Sequence, residues 1–167
     1  WRQVTQGDAH VWEFDWSPDG SRFVLLTAPR PGDDGWFDPE LSIVSCDGGV
    51  PQRLVKTGKQ FAAPRWSPDG ELVAYISCTW SDPGLVGGDL FVLDTVTRAV
   101  RDLTGGLSLS VSWIEWKMDG SGLIFMAHEG GDVSLTEIDL SSRKQKRLWS
   151  GPFTFAERSQ PKFSVDR

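Results

Sequence analysis

The sequence predicts an all-β protein: a β-propeller fragment with about three complete four-stranded blades and a split blade at its two ends. Two observations carry this prediction. The pentapeptide WSPDG stands at residues 16–20 and 66–70, with a variant, WKMDG, at 116–120, so the chain repeats every 50 residues. Each copy is followed by a continuously apolar run, which is typical of strands buried on both faces.

Each repeat contains four strand patterns and no helical pattern. In the first repeat they are VWEFDW, RFVLLT, ELSIVS and PQRLVKTG, each bounded by turn residues. The last strand of each repeat has a leucine in the equivalent place: Leu54, Leu103 and Leu148. We expect residues 1–167 to form one partial propeller domain, with blades near residues 11–57, 60–105 and 110–150.

The two ends of the chain match parts of blades. Residues 1–7 match the last strand of a preceding blade, and residues 155–167 match the first strand of a following blade. An open arc of three blades leaves two apolar faces in water, and propellers of this kind usually have four to eight blades. We therefore expect either a longer ring, of which this chain is a part, or a homodimer that closes a six-bladed ring.

The pentapeptide has the residues of a tight hairpin turn. Proline presets φ at the first central position, aspartate suits the second, and glycine accepts the positive φ that follows. The tryptophan before the turn ends the first strand of each blade, where we expect it to fill the space between blades. The structural repeat residues are Trp16, Pro18, Asp19, Gly20, Trp66, Pro68, Asp69, Gly70, Trp116, Asp119 and Gly120. Because these residues recur on separate blades, we interpret them as scaffold and not as a catalytic site.

The residue before each tryptophan is charged. Asp15, Arg65 and Glu115 alternate in sign, and Lys162 precedes Phe163 in the last copy. Equivalent positions in neighbouring blades are close together, so the alternation predicts either inter-blade ion pairs or a coincidence among surface charges.

Composition argues against several classes of function. The net charge of −6 disfavours nucleic acid and anionic membranes as partners, since phosphate binding needs clustered Lys and Arg. The one basic cluster, RKQKR at residues 143–147, fits a solvated turn that leads into an edge strand. Cys46 and Cys78 lie in apolar strand patterns, so we expect two buried, reduced thiols; the alternative is a bridge between them.

The sequence also gives no sign of a catalytic, cofactor or metal site. It contains no G-x-S-x-G, and His10 and His128 stand in no spacing that indicates a metal pair or a nucleophile with its base. Residues 1–8 have no signal-peptide pattern, and no run of eighteen apolar residues occurs. We expect a cytoplasmic location, or a periplasmic one if the chain is a TolB-like protein.

The richest irregular segments are residues 28–40 and 78–89, at the end of the blades opposite the WSPDG turns. Their aromatic residues, Trp36, Phe37 and Trp80, are candidates for a partner or substrate face; the alternative is that they fold back and cap their own blades. The aspartates of the first loop suggest calcium but lack EF-hand spacing, so a solvated loop is the simpler reading; they are Asp33, Asp34 and Asp38.

The turn WSPDG, followed by an apolar strand, the strand LFVLD and the strand RDLTGG, resembles the propeller repeat of two groups of proteins. One group is the TolB-like proteins. The other is the prolyl oligopeptidase family of serine peptidases, and the 50-residue spacing and long loops resemble its acylaminoacyl-peptidase and dipeptidyl-peptidase-like branch. That second resemblance implies a non-catalytic propeller that gates and positions peptides for a separate α/β-hydrolase domain. No position here matches that domain's catalytic Ser, Asp and His.

Three functions are therefore compared. The first is the propeller portion of such a peptidase, whose partners are peptides or the hydrolase domain. The second is a TolB-like scaffold that works through protein contacts. The third is a polysaccharide-active enzyme, for which the first strands offer only Glu13, Glu115 and Arg65.

Overall fold

A computed structural model describes residues 2–79 and 86–152 of the chain. In that part, three four-stranded antiparallel sheets and one four-residue helix are present, so the predicted all-β class is confirmed. The elements are β1 His10–Trp16, β2 Arg22–Ala28, α1 Asp33–Trp36, β3 Glu40–Ser45, β4 Gln52–Val55, β5 Gln60–Trp66, β6 Leu72–Cys78, β7 Asp89–Asp94, β8 Val100–Asp102, β9 Ser110–Trp116, β10 Gly122–Glu129, β11 Asp132–Asp139 and β12 Gln145–Gly151.

Each sheet is a meander in which strands pair in chain order. We call β1 to β4 blade 1, β5 to β8 blade 2 and β9 to β12 blade 3; they span residues 10–55, 60–102 and 110–151. The first strands of neighbouring blades contact each other, β1 with β5 and β5 with β9. The blades therefore follow one another as an arc, with the first strands at its inner side.

The pentapeptide forms the hairpin turn between the first and second strands. The glycine amide donates to the carbonyl three residues earlier at 2.9 Å in all three blades, at Gly20, Gly70 and Gly120. These glycines have φ of 71°, 73° and 68°, a region in which a Cβ is costly. Blade 3 keeps the same turn although Lys117 and Met118 replace serine and proline.

The turn aspartate organises the loop with its carboxylate. Asp19 Oδ1 accepts from Ser17 Oγ at 2.6 Å and from the Ser21 amide at 3.0 Å. Hydrogen bonds of this kind favour the charged form, so they lower the pKa of Asp19, Asp69 and Asp119 below the ordinary value of 3.8. The aspartate thus replaces the backbone partners that a tight turn cannot supply.

The hydrophobic core lies between the blades, because each sheet presents apolar side chains on both faces. The cluster between blades 1 and 2 consists of Val24, Leu26, Leu41, Phe61, Trp66, Val73, Tyr75 and Leu93. The cluster between blades 2 and 3 includes Ala62, Ala74, Ile76, Leu90, Val92, Ile114, Trp116, Leu123 and Phe125. Alternate residues of β6 join opposite clusters, which explains why its sequence is continuously apolar.

The structure describes most of the first seven residues but not the last fifteen. Residues 4–6 run beside the turn between β3 and β4, where the Gln6 amide donates to Gly49 O at 2.8 Å and the Gly49 amide donates to Val4 O at 3.0 Å. Assignment of residues 1–7 to a preceding blade stays a prediction. Residues 155–167, with Lys162 and Phe163, lie outside the described residues.

The structure also describes the basic cluster and the two cysteines. Residues 143–147 form the turn before β12 and the start of that edge strand, and they are exposed. Cys46 and Cys78 are free thiols, but both residues are half-buried and not buried as expected. No helix in the described ranges is long and apolar enough to cross a membrane.

Candidate functional site

The candidate site lies along the inner side of the arc, where two carboxylates of blade 1 reach the free edge of β5. Glu13 Oε2 accepts from the Ala63 amide at 2.9 Å, and Asp15 Oδ2 accepts from the Trp66 amide at 2.8 Å. A first strand has no partner on its inner edge, so its amides need other acceptors. Glu13 and Asp15 supply these acceptors across the blade boundary.

The Ala63 amide is placed by a bulge in β5. The register of β5 against β6 shifts between Ala62 and Arg65, and Ala63 has φ of 49°. A residue other than glycine pays roughly 1 to 2 kcal/mol for that conformation. The hydrogen bond from Glu13 helps to hold it, so this carboxylate has a structural task.

Arg65 and Glu115 complete the inner cluster, which we define as Glu13, Asp15, Arg65 and Glu115. Burial raises the pKa of Glu13 above its ordinary value of 4.5, against the opposing effects of the Ala63 amide and the Arg65 guanidinium. Burial also raises the pKa of Glu115; Arg65 opposes this change and the Asp15 charge adds to it. The Glu13 and Glu115 carboxylates therefore both interact with one guanidinium, and the fully ionised inner cluster carries a charge of −2.

Tryptophan rings of the next blade hold the arginines of the preceding blade. Arg22 Cζ lies 4.9 Å from the ring centroid of Trp66, and Arg65 Cζ lies 4.9 Å from that of Trp113. Contacts of this kind are each worth about 0.5 to 1 kcal/mol at exposed sites. In addition, Trp116 Nε1 donates to Arg65 O at 3.0 Å. Arg65 Nη1 also donates to Pro64 O at 2.8 Å, so the guanidinium is held by packing and a backbone hydrogen bond, and not by a direct ion pair.

The alternating charges have two interpretations, inter-blade ion pairs or coincidence, and the structure does not show the ion pairs in its described residues. None of the ion pairs found in the described part of the chain joins Asp15, Arg65 and Glu115. Asp15 instead accepts from a backbone amide, because the register places its carboxylate at the edge of β5. The spacing of the charged residues indicated that they lie near one another. The structure adds that two of the carboxylates accept hydrogen bonds from backbone amides of β5.

The three repeated tryptophans have unequal surroundings. Trp66 and Trp116 are each 5% exposed and belong to the clusters between blades, whereas Trp16 is 54% exposed. Each of the two buried rings packs against the preceding blade. Trp16 has no described blade before it, and its ring contacts Phe23 in its own sheet at a centroid distance of 4.4 Å.

Trp36 and Phe37 lie at the opposite end from the turns. Trp36 is 5% exposed and packs edge-on against Trp12 at 5.5 Å, so it folds back on its own blade, as one of the two alternatives held. Phe37 is half-buried, and Trp80 lies outside the described residues. Asp38 forms an ion pair with Lys56 at 2.9 Å. A partner role for this face stays a prediction.

A second concave surface, the turn-side groove, lies between blades 1 and 2 at the WSPDG end. It encloses about 580 Å³, and Arg22 and Arg98 line it without any acidic side chain. Ser45, Gln52 and Thr95 add polar atoms to its wall. The sequence did not indicate this groove, because its two arginines are 76 residues apart and meet only through the packing of two sheets.

Neither a metal-binding group nor a pair of histidines is found in the described residues. Throughout residues 2–79 and 86–152, no group of three or more His, Cys, Asp or Glu side chains is arranged to hold a metal ion. His10 and His128 are exposed and lie on different blades. The inner cluster offers carboxylates and a guanidinium, which bind charged groups of a ligand, and it includes no serine, threonine or cysteine.

The chain is similar to peptidases and to TolB proteins. It is 25% identical over 148 residues to dipeptidyl-peptidase 5 of Porphyromonas gingivalis, covering 87% of this chain and 22% of that protein. It is 27% identical over 162 residues to the uncharacterized peptidase YuxL of Bacillus subtilis, covering 97% of this chain and 21% of that protein. TolB of Ruthia magnifica is 24% identical over 77% of this chain and 29% of its own length.

These relatives confirm the resemblance that the WSPDG repeat indicated. The homologues of this chain include peptidases of the dipeptidyl-peptidase kind as well as TolB propellers. The chain spans about a fifth of the length of the two curated peptidases. No family model matches it.

Solved structures establish the propeller-type fold. Oligogalacturonate lyase in complex with manganese superimposes with a TM-score of 0.70 at 17% identity, covering 89% of this chain and 44% of that one. A puromycin-hydrolyzing peptidase of Mycobacterium tuberculosis gives 0.66 at 18% identity, covering 88% and 23%. TolB of Acinetobacter baumannii gives 0.54 at 21% identity, covering 87% and 32%. At these identities the likeness shows the fold alone.

Proposed function

We propose that this chain is the non-catalytic propeller portion of a serine peptidase of the prolyl oligopeptidase family. In this role it gates and positions peptide substrates for a separate α/β-hydrolase domain. The observation that carries the proposal is the extent of the two peptidase matches, which cover 87% and 97% of the chain. The sequence similarity thus extends over the residues of all three blades and is not limited to one turn motif.

The inner cluster supplies a physical basis for substrate positioning. Carboxylates attract the ammonium group at a peptide's amino end, and a guanidinium held over a tryptophan ring pairs with a carboxylate or carbonyl group. Because Glu115 and Arg65 lie on adjacent first strands, one peptide can meet both signs of charge along the inner side of the arc. The cluster contains no serine, threonine or cysteine, and we assign bond cleavage to the other domain.

The test is made on the parent polypeptide, with the isolated chain beside it. We expect a G-x-S-x-G strand-turn-helix in the reading frame beyond Arg167, and no hydrolysis of acylated or aminoacyl chromogenic peptides by this chain alone. In the parent, Arg65→Ala should raise KM for peptides several-fold but leave a small ester substrate unaffected. Arg53→Ala, on the exposed β4, is the matched control.

Three results would contradict the proposal. One is turnover by the isolated chain, which would place the chemistry within these blades. Another is a parent frame that contains no hydrolase motif. A third is an Arg65→Ala effect equal for peptides and for the small ester, since that result would separate the inner cluster from substrate positioning.

A TolB-like scaffold is the second candidate function. The match to TolB of Ruthia magnifica covers 77% of the chain, and the turn-side groove offers two arginines without an opposing carboxylate. Such a groove suits an acidic segment of a partner protein. We propose a cytoplasmic location for the peptidase portion and a periplasmic one for the scaffold; fractionation of cells that express the parent distinguishes the two.

A further inference from the structure

The turn-side groove lies at a boundary between two blades that are both described through all four strands. All of its lining residues fall between residues 22 and 98, in blades 1 and 2. Ile43 and Leu54 of its wall also pack against the apolar cluster that joins these blades. Further blades of a longer propeller would pack on the other face of blade 1 and on blade 3, so they would not line this groove.

Two arginines supply the positive charge of the groove. The Arg22 guanidinium lies over the ring of Trp66, and its Nη2 donates to Gly70 O at 3.4 Å. These contacts with blade 2 orient Arg22 and leave most of its N–H groups as donors. Arg98 is exposed in the turn between β7 and β8, and its side chain has no hydrogen bond or ion pair within the described ranges.

Among the described residues, no carboxylate lines the groove beside these two arginines. Asp19 acts electrostatically on Arg22, but its carboxylate accepts from hydroxyls and an amide of its own turn and lies outside the lining. Ser45 Oγ accepts from the Asp47 amide at 3.1 Å, so its O–H is left as a donor. The groove therefore suits a ligand that supplies acceptors and negative charge.

Apolar side chains stand beside the charges. Val50 lines the groove and is 68% exposed, and Val96, two residues before Arg98 in the same turn, is 83% exposed. The groove encloses about 580 Å³, which is the size of a site for a ligand much larger than one carboxylate or phosphate group. Exposed valines beside unpaired guanidinium groups fit a chain segment that carries both apolar and acidic side chains.

We propose that the turn-side groove binds an extended segment of a partner protein that carries at least two carboxylates beside apolar side chains. One carboxylate pairs with Arg22 and another with Arg98, while the apolar side chains contact Val50. Such binding deepens the second candidate function, the scaffold, on which it rests, and does not involve the inner cluster. Because the chain has a net charge of −6, an acidic segment gains nothing from nonspecific attraction, and its binding depends on the groove.

Fluorescence anisotropy of a labelled peptide tests this binding. The probe alternates aspartate with valine, and a control peptide has asparagine in place of each aspartate. We expect this chain to bind the acidic probe alone, with an affinity that falls as the salt concentration rises. Arg22→Gln and Arg98→Gln should each weaken binding by about three- to ten-fold, because each removes one charge-assisted hydrogen-bonding partner.

Arg53→Gln is the matched control variant. It also removes one positive charge, but Arg53 alternates along β4 with Gln52 and Leu54, which line the groove, and it pairs with Glu40 at 3.3 Å. We expect Arg53→Gln to leave the affinity for the probe unchanged. Because Arg98 is exposed, Arg98→Gln should keep the fold, and an unchanged urea midpoint verifies this.

Several results would overturn the proposed site. These are no binding of the acidic probe, equal affinity for the asparagine peptide, and an equal loss of affinity in Arg53→Gln and Arg98→Gln. Binding by this chain that is absent in the parent polypeptide would assign the groove to a segment of the parent and overturn a separate partner. A parent that hydrolyses peptides but does not bind the probe would overturn the site and leave the peptidase proposal standing.

Discussion

At the scale of single residues, the inner cluster shows how a strand edge is completed by the next blade. Glu13 and Asp15 face amides that no strand pairs, and both carboxylates accept from blade 2. The charged side chains at these positions therefore stabilise the contact between blades 1 and 2. The Arg65 guanidinium lies over Trp113 and donates from Nη1 to Pro64 O at 2.8 Å.

Glu13 gives the clearest test of this arrangement. Replacing Glu13 with alanine should lower the free energy of unfolding by about 1 to 3 kcal/mol, because the Ala63 amide then loses its acceptor. Glu13→Gln is the control: its amide oxygen still accepts and it removes the cost of burying a charge, so we expect a much smaller loss. Urea unfolding at pH 7 measures both, and equal losses would contradict the assigned role.

At the scale of the elements, the WSPDG turn is one geometry made by two sequences. Blade 3 lacks the proline yet keeps the 2.9 Å hydrogen bond from Gly120 to Lys117 and a glycine φ of 68°. Aspartate and glycine are thus sufficient for the turn. The proline lowers the conformational freedom of the unfolded chain, which adds stability without a new contact.

Met118→Pro should therefore stabilise the protein by about 0.4 to 1 kcal/mol, since proline stands at the equivalent position of the other two turns. Met118 is 60% exposed, so little packing is lost. Met118→Ala separates the effect of proline from the loss of the side chain and should change stability very little. Thermal unfolding is the measurement, and a lower midpoint for Met118→Pro would show that this turn differs from its counterparts.

The sequence predicted the strands and turns, but it did not predict the register shifts in the first strand of each blade. The repeat fixed the four-strand pattern, since turn chemistry and apolar runs are local properties. Each first strand also has a register shift near its middle. The shift lies between Val11 and Glu13 in β1, between Ala62 and Arg65 in β5, and in β9 opposite Met126 and Ala127 of β10. No glycine marks these shifts, and Ala63 takes a positive φ instead. The bulge depends on contacts between blades, which local sequence does not contain.

At the scale of the whole molecule, two sets of carboxylates respond to pH in opposite directions. Burial raises the pKa of Glu13 and Glu115, so the folded state takes up protons more readily than the unfolded chain. The turn aspartates, represented by Asp19 and Asp69, have lowered pKa values, so the unfolded chain takes up protons more readily there. Stability follows the difference in bound protons.

We therefore expect a maximum of stability in mildly acidic solution. As pH falls from 7 toward 4.5, protonation of Glu13 and Glu115 should raise the free energy of unfolding. Below the ordinary aspartate value of 3.8, that free energy should fall as the turn carboxylates approach their own lowered pKa values. Urea titrations from pH 3 to 8 test this, and Glu115→Gln should reduce the rise. A steady decline from pH 7 downward would contradict it.

Blade 2 is the one sheet of the three described that is packed on both of its faces. In a linear array, each unit draws part of its stability from its neighbours, so units at the ends open more readily than the unit between them. Amide hydrogens of β6, at the centre of both apolar clusters, should therefore exchange with solvent more slowly than those of β2 and β10. Closure of the arc into a ring would give all three sheets two neighbours and remove that gradient.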